Sequence, residues 1–480
     1  MKSPILKTGE IVAATRGTLV RGNPGGVFAG LTTSSRDVIG GNLFIPLVGE
    51  RFDGHDFIPD AVNRGAAGLL VGRGAKEIPE NAFGDASVIL VDDTLRALGD
   101  IANLWRNKFT VPVVAVTGSS GKTTTKEMIA TVAGLSGAVL KSRGNYNNLV
   151  GLPLSLLELN AGHEMAVVEM GTNKRGEIAR LTVIAEPDIG VITNIGPAHL
   201  EGFGSLEVVM EEKGDLFSNM RNDGVAIINR DDPFSRVLAD RWTGRNISFG
   251  IDENAFVRAE RIFMRGERGV SFTLTMGEIG KGIDMAVVGR HNIYNALACA
   301  AACWAMDIEY DLICEGLSAF KQIEGRMDIH RLKNGVTVID DTYNANPASV
   351  MEALKTLSDL KGKNESTVIF GDMLELGEEA ERLHEGIGKA MADTGVGNLF
   401  LRGEFGGSVA RGAVKRGFRE DHIYFDATPD RVRDVLHSLL REGDWILVKG
   451  SRNMKMEEFL HAIREEFGLP LYGVHVPSLD

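Results

Sequence analysis

The chain has 480 residues, which at roughly 150 residues per domain predicts about three domains rather than one hydrophobic core. A composition of 44% hydrophobic and 24% charged residues excludes disordered, collagen-like and disulfide-scaffold classes. The balance of 52 basic and 65 acidic side chains leaves a net charge of −13; without a basic tail this argues against nucleic acid or an anionic membrane as main partner, and any anionic ligand must be held locally.

Glycine is the unusual residue, with 58 copies against 14 prolines, which suggests many tight strand-to-helix turns. The three cysteines, Cys299, Cys303 and Cys314, fall in one apolar helical stretch with no metal-like partners, so a reducing cytoplasm is expected. The longest nearly unbroken apolar run, Ala296 to Met306, is far short of the roughly 18 residues of a spanning helix. The N-terminal stretch has no signal-peptide core. No membrane partner is expected.

In chain order, residues 1–108 mix short apolar runs with glycine-rich turns, which predicts a small α/β domain. From Val111 the texture becomes VPVVAVTG, a helix-like KEMIATVAGL, and further apolar runs AVVEM, IGVIT and VAIIN spaced by amphipathic stretches. That alternation predicts a parallel sheet covered by helices, in a domain spanning 109–325. Phe256 to Val288 reads as short antiparallel strands, and an alanine-rich helix follows from about His291. Five runs, VTVID (336–340), STVIFGD (366–372), NLFLRG (398–403), HIYFDA (422–427) and WILVKG (445–450), then alternate with helices. They predict a second doubly wound, Rossmann-like unit over 326–480, with ligands beyond the carboxyl ends of its strands at Asp340-Asp341, Gly371-Asp372 and Lys449-Gly450-Ser451.

The strongest chemical signal is VVAVTGSSGKTTTKEMIA, an apolar strand, a glycine turn and a helix. Backbone N–H groups of the loop, Gly118, Ser119, Ser120 and Gly121, and the N-terminus of the following helix, which carries Thr124, would cradle phosphate oxygens, Lys122 would reach a terminal phosphate, and the Thr123 hydroxyl would face Mg²⁺. The loop is shorter than the common phosphate-loop spacing, with Val116 where that spacing needs glycine. Downstream, Glu169 and His199 follow strand-like runs and could ligate a cation; a helix cap and a turn residue are the equal alternatives. Asn145, Asn147 and Asn148 crowd one turn as either a polar platform or turn chemistry. Lys213, between Glu211-Glu212 and Gly214, reads by default as a solvated surface lysine. Asn292 and Asn295 share a helix face at i, i+3 and could read a base edge or cap the helix. Arg326 and Asp341 open the last domain and could close onto the nucleotide across a cleft.

Taken as an ordered set, SSRDVIGGNLFIPLVGERFDGHDF, TGSSGKTTTKE, GNYNNLVGLPLSLL, VVEMGTNKRGEI, TNIGPAHLEGFGS, EEKGDLF, GRHNIYN, DDTYNANPASV and FGDMLELGEEAERLH resemble the Mur ligases, ATP-dependent amide-forming enzymes of bacterial cell-wall synthesis. DDTYNANP and GDMLELG favour the members that add a dipeptide. The resemblance implies a UDP-N-acetylmuramoyl-tripeptide and D-alanyl-D-alanine as substrates, and a cytoplasmic, monomeric enzyme of peptidoglycan synthesis, hence of cell shape and division. It assigns Gly118 to Thr124 to the ATP phosphates, Thr123 to Mg²⁺, Glu169 and His199 to a second magnesium site, and Lys213 to a carbamylated lysine that ligates magnesium. It also assigns Asn292 and Asn295 to adenine, Arg326 and Asp341 to ATP from the last domain, Asn148 to the muramoyl substrate, and Ser35 and Arg36 to the uridine diphosphate part. Lys122, Lys213, His199 and Arg326 are the implied catalytic set. Two positions depart from the pattern: Ser34 stands where aspartate is usual and Pro46 where alanine is usual. Competing readings are a folylpolyglutamate-type ligase, separated by which carboxylate stimulates ATPase activity, and a nucleotide-dependent scaffold that binds without peptide-stimulated turnover.

Overall fold

The computed structural model describes residues 4–49, 51–76, 78–198 and 200–468. The chain is mixed α/β, built on three main sheets. The first has five strands in the order Thr18–Arg21, Ser87–Val91, Gly68–Gly72, Leu43–Phe44, Leu31–Thr32, parallel except for the first. A two-stranded antiparallel ribbon, Leu6–Lys7 with Val27–Phe28, lies alongside it in sequence.

The second sheet has nine strands, and its position in the sequence follows from the valine-rich runs. Val113–Thr117 is buried along its whole length, as expected of a parallel strand covered on both faces. It sits between Met165–Glu169 on one side and Ile189–Ile192 on the other, all parallel. Val139–Lys141 closes one edge, and Val225–Asn229, Arg245–Gly250 and Val257–Met264 extend the other. The expected antiparallel region is present: Val257–Met264, Val270–Met276 and Ile279–Met285 pair antiparallel. The phosphate-loop helix, Lys122–Ala133, and the alanine-rich helix, Arg290–Ala305, pack on one face with Val114, Val116 and Ile227. The other face joins the first sheet in one apolar cluster, since Leu43, Leu70 and Ile89 share a core with Val113, Ala115 and Val168.

The third sheet contains all five runs read from the sequence, in the order Thr337–Asp341, Trp445–Lys449, Ser366–Gly371, Asn398–Arg402, Ile423–Tyr424, all parallel. An antiparallel edge strand, Asp328–Arg331, was not expected, because its DIHR sequence has no apolar run to announce it. Separate apolar clusters on the two faces, one with Val350, Ile387 and Val409 and the other with Val432, Leu436 and Phe459, make the unit doubly wound. No helix among the described residues is long and apolar enough to cross a membrane. All three cysteines are free thiols in a buried helical pair.

In the nine-stranded sheet the chain leaves Val113–Thr117 to build strands on one side, then returns to build the other. The carboxyl end of this strand is therefore a topological switch point, where a crevice opens for ligand. The loop after it contains Gly118 and Gly121, and the helix that follows opens with Lys122 and the three threonines.

Candidate active site

The phosphate loop is braced from two directions. On one side, the Ser119 N–H donates to the Asn194 carbonyl at 3.0 Å, the Ser120 N–H to the Asn194 side chain at 3.0 Å, and the Thr193 hydroxyl to the Ser120 carbonyl at 2.6 Å. On the other, Asn295 lies behind Gly121, where its amide oxygen accepts from Thr125 at 3.3 Å and its nitrogen donates to Asn292 at 3.0 Å. Two glycines are required by this packing. Gly118 has φ +147° and Gly121 φ +80°, and a Cβ would come within 1.9 Å of the Thr193 hydroxyl or 2.3 Å of the Asn295 oxygen. Thr124 follows, buried in the first turn of the helix.

Thr123 is the hub of the site. Its hydroxyl donates to Glu169 at 2.8 Å and accepts from the Arg326 guanidinium at 2.8 Å. The other Glu169 oxygen accepts from Asn147 at 2.8 Å. Lys122 folds back onto the Gly118 carbonyl at 2.8 Å. Its pKa is pushed down by desolvation and by the Arg326 charge, with Glu169 opposing. Lys213 is not the surface lysine of the default reading: it is 2% exposed, on helix Leu206–Asn219. Burial first, then the Lys122 charge, depress its pKa to about 7, against the pull of Glu212. Glu212 cannot pair with it fully, because its carboxylate accepts from Thr172, Gly176 and Ile178 and so caps helix Glu177–Ala185.

The last domain reaches this loop directly. Besides Arg326, the Asn346 amide donates to the Ser119 carbonyl at 3.2 Å while capping helix Pro347–Lys361. The Glu201 N–H donates to the Glu375 carbonyl at 3.1 Å. Asp341 is beside Arg326, but its carboxylate is engaged by the Met327 N–H and by Lys449.

The remaining expected residues are placed as follows. Asn292 and Asn295 are 1% and 5% exposed, so contact with a base would require either to exchange its present hydrogen bond. The Asn148 side chain accepts from the Val150 and Gly151 N–H groups at the start of helix Gly151–Leu156. Ser35 is buried in a short helical turn of the first domain, and Arg36 beside it is exposed. His199 lies outside the described residues. Asn346 and Asn194 were not singled out from the sequence. For Asn346 a signal existed, since Asn-Pro is an N-cap followed by a first-turn proline.

Thr123 and Glu169 offer hard oxygen donors that already touch one another, a set that suits Mg²⁺, which keeps most of its positions for phosphate oxygens and water. Among the described residues no group of three or more His, Cys, Asp or Glu side chains gathers for a metal.

Three family descriptions match the chain: the Mur ligase family catalytic domain over residues 27–106, the Mur ligase middle domain over 116–303, and the Mur ligase glutamate ligase domain over 325–452. The chain belongs to the Mur ligase family. It is 36% identical to the UDP-N-acetylmuramoyl-tripeptide–D-alanyl-D-alanine ligase of Bacillus subtilis, covering 92% of this chain and 94% of that protein. With the enzyme of the same name from Escherichia coli it shares 35% identity over 91% and 93%. The crystal structure of MurF from Acinetobacter baumannii matches at a TM-score of 0.88 and 30% identity, covering 97% and 100%. That of the Thermotoga maritima MurF ligase in complex with ADP matches at 0.80 and 28%, covering 91% and 97%. A Mycobacterium tuberculosis folylpolyglutamate synthase shares the fold at 0.64 and 18% identity, over 78% of this Mur ligase.

The close approach at Gly118 gives a direct test of the loop. Gly118→Ala should weaken ATP binding at least about tenfold, or about 1.4 kcal/mol, in calorimetric titration, because the Cβ must displace Thr193 and with it the Ser120 carbonyl. Unchanged affinity would show that the loop conformation is not required for binding.

Proposed function

We infer that this Mur ligase joins D-alanyl-D-alanine to the terminal carboxylate of a UDP-N-acetylmuramoyl-tripeptide, with ATP cleaved to ADP and phosphate. The observation that carries the reading is the convergence of Lys122, Thr123, Glu169 and Arg326 at one strand end, in a chain similar along nearly its whole length to ligases of that name.

The chemistry proceeds in two steps. A tripeptide carboxylate oxygen attacks the γ-phosphorus of ATP, the bond to the bridging oxygen breaks, and ADP leaves. The dipeptide amine then attacks the acyl carbon, phosphate departs with the former carboxylate oxygen, and the amine loses a proton. Both steps concentrate negative charge, so positioning and charge neutralisation are what the protein must supply. Lys122 and Arg326 are the cations for that task. Mg²⁺ held by Thr123, and a second ion held by Glu169 and His199 with the carbamylated form of Lys213, would add charge neutralisation at the phosphates.

An acyl phosphate must be kept from water. The contacts of Arg326 and Asn346 with the phosphate loop, and of Glu375 with Glu201, close the last domain over the site. In this reading residues 1–108 hold the uridine diphosphate part through Ser35 and Arg36, residues 109–325 hold ATP, and residues 326–480 deliver the dipeptide. Asn148 supports the turn facing the muramoyl part, and Asp341 supports Arg326.

Lys213 is suited to carbamylation. With a pKa near 7, a large share of its amine is neutral at physiological pH, and only the neutral amine attacks CO₂ to form the N–C bond, with release of a proton. The product is a carboxylate close enough to Lys122 to be stabilised by it. With ¹³C-bicarbonate, a carbamate carbon resonance should be present at pH 8, should fade as the pH falls through 7 and the amine protonates, and should be absent from Lys213→Arg. A signal that persists in the variant would remove the assignment.

The function itself is tested by product analysis. Both peptide substrates with ATP should yield a pentapeptide adduct and one phosphate per adduct, and this turnover should require divalent cation. Nucleotide binding without phosphate release in the presence of both substrates would contradict it.

A further inference from the structure

Lys449 ends the WILVKG strand at a position where a ligand group was expected, yet it faces no open crevice. It is 2% exposed, its ammonium is 2.5 Å from one Asp341 oxygen, and it also donates to the Asn344 carbonyl at 2.9 Å. Lys449 and Asp341 are direct neighbours on adjacent parallel strands. The second Asp341 oxygen accepts from the Met327 N–H at 3.2 Å. Met327 follows Arg326 and is itself held in the left-handed region, with φ +57°. On the other side of Arg326, the Gly325 carbonyl accepts from the Tyr343 N–H at 3.1 Å, and the Arg326 carbonyl accepts from Gln322. The Tyr343 ring lies under the guanidinium at 4.0 Å. The backbone on both sides of Arg326 is therefore pinned to the end of strand Thr337–Asp341 and the turn after it.

We propose that Lys449 is a positioning residue for the ligase reaction: through Asp341 and the Met327 amide it fixes the backbone that aims Arg326 at Thr123. Met327 is a non-glycine residue in a conformation it does not favour, and the Asp341 carboxylate is what meets its N–H there. A partly buried carboxylate beside one backbone amide calls for a countercharge, which the buried Lys449 provides. Without it, Asp341 turns toward solvent, Met327 relaxes, and the guanidinium loses its fixed direction. Arg326 then remains in the chain but spends less time on the phosphate loop. A simple cross-strand ion pair would predict something else: lost stability with no selective effect on turnover.

The proposal rests on the ligase reading, so turnover of the wild-type full-length chain with both peptides is measured first; its absence would count against that reading alone. A double-mutant cycle on kcat with Lys449→Met and Arg326→Ala then tests the proposal. Lys449→Met should lower kcat by about 10²-fold, the scale of a misplacement of about 1 Å, with the KM for ATP changed by less than about threefold. In the Arg326→Ala background the same substitution should change kcat by less than about twofold, because the group it positions is gone. A readout independent of activity is tryptic cleavage of the Arg326–Met327 bond, which should accelerate about tenfold in Lys449→Met over cleavage at other sites. Where Lys449→Met is recovered unfolded, Lys449→Gln, which keeps a donor for Asp341 and Asn344, is taken through the same cycle. Losses that multiply across the cycle, or kcat within about twofold of wild type together with unchanged cleavage, would overturn the proposal.

Discussion

The structure depends on the hydroxyl of Thr123, which stands between a carboxylate from its own domain and a guanidinium from the next. The hydroxyl donates a hydrogen bond to Glu169 and accepts one from Arg326, each at 2.8 Å, so one small side chain joins the phosphate loop to the last domain. The surrounding construction keeps that hydroxyl in place. Glycine at 118 and 121 lets Thr193 and Asn295 approach the loop closely. The strand Val113–Thr117, buried on both faces, fixes the height at which the loop leaves the sheet.

The same geometry resolves the conflict between an acidic protein and polyanionic substrates. A net charge of −13 repels ATP at long range, but that field is screened over roughly 8 Å at physiological ionic strength. Inside the crevice Lys122, Arg326 and Lys213 gather with the N-terminus of helix Lys122–Ala133 beside the Glu169 carboxylate, and in the proposed function this cluster receives the phosphates. Burying these lysines and gathering cations around them has an electrostatic cost: desolvation first, and then the neighbouring cation, depress the pKa values of both. A bound anion offsets that cost, so the site is poorly satisfied until ligand arrives. In the proposed mechanism this mutual repulsion of cations becomes stabilisation of the charge that builds up during phosphoryl transfer.

Much of this was legible in the sequence where the signal is local. The five apolar runs of the last domain became five parallel strands, and the phosphate loop formed between strand and helix as its residue order requires. Signals that depend on distant partners were not legible. EEKGDLF has the composition of a solvated helix face, and only the packed fold shows that Lys213 is buried beside Lys122. Asn346 touches Ser119 across 227 residues of chain, a pairing no periodicity encodes. Lys449 was noted as a strand end, but its partner is defined by strand order, in which Trp445–Lys449 inserts beside Thr337–Asp341. The first and central sheets read as separate textures, yet they share one apolar cluster, because a composition change marks a chain segment and not the limits of a core. The edge strand Asp328–Arg331 was missed because it is short and polar.

The central claim is that this crevice activates a carboxylate by phosphorylating it, with the last domain completing the site. The most direct measurement is the fate of oxygen. A tripeptide substrate labelled with ¹⁸O in its terminal carboxylate, turned over with ATP and the dipeptide, should give inorganic phosphate carrying one ¹⁸O atom per turnover by mass spectrometry. Phosphate free of label, with one ¹⁸O atom kept in the amide and the other released as water, would contradict the account.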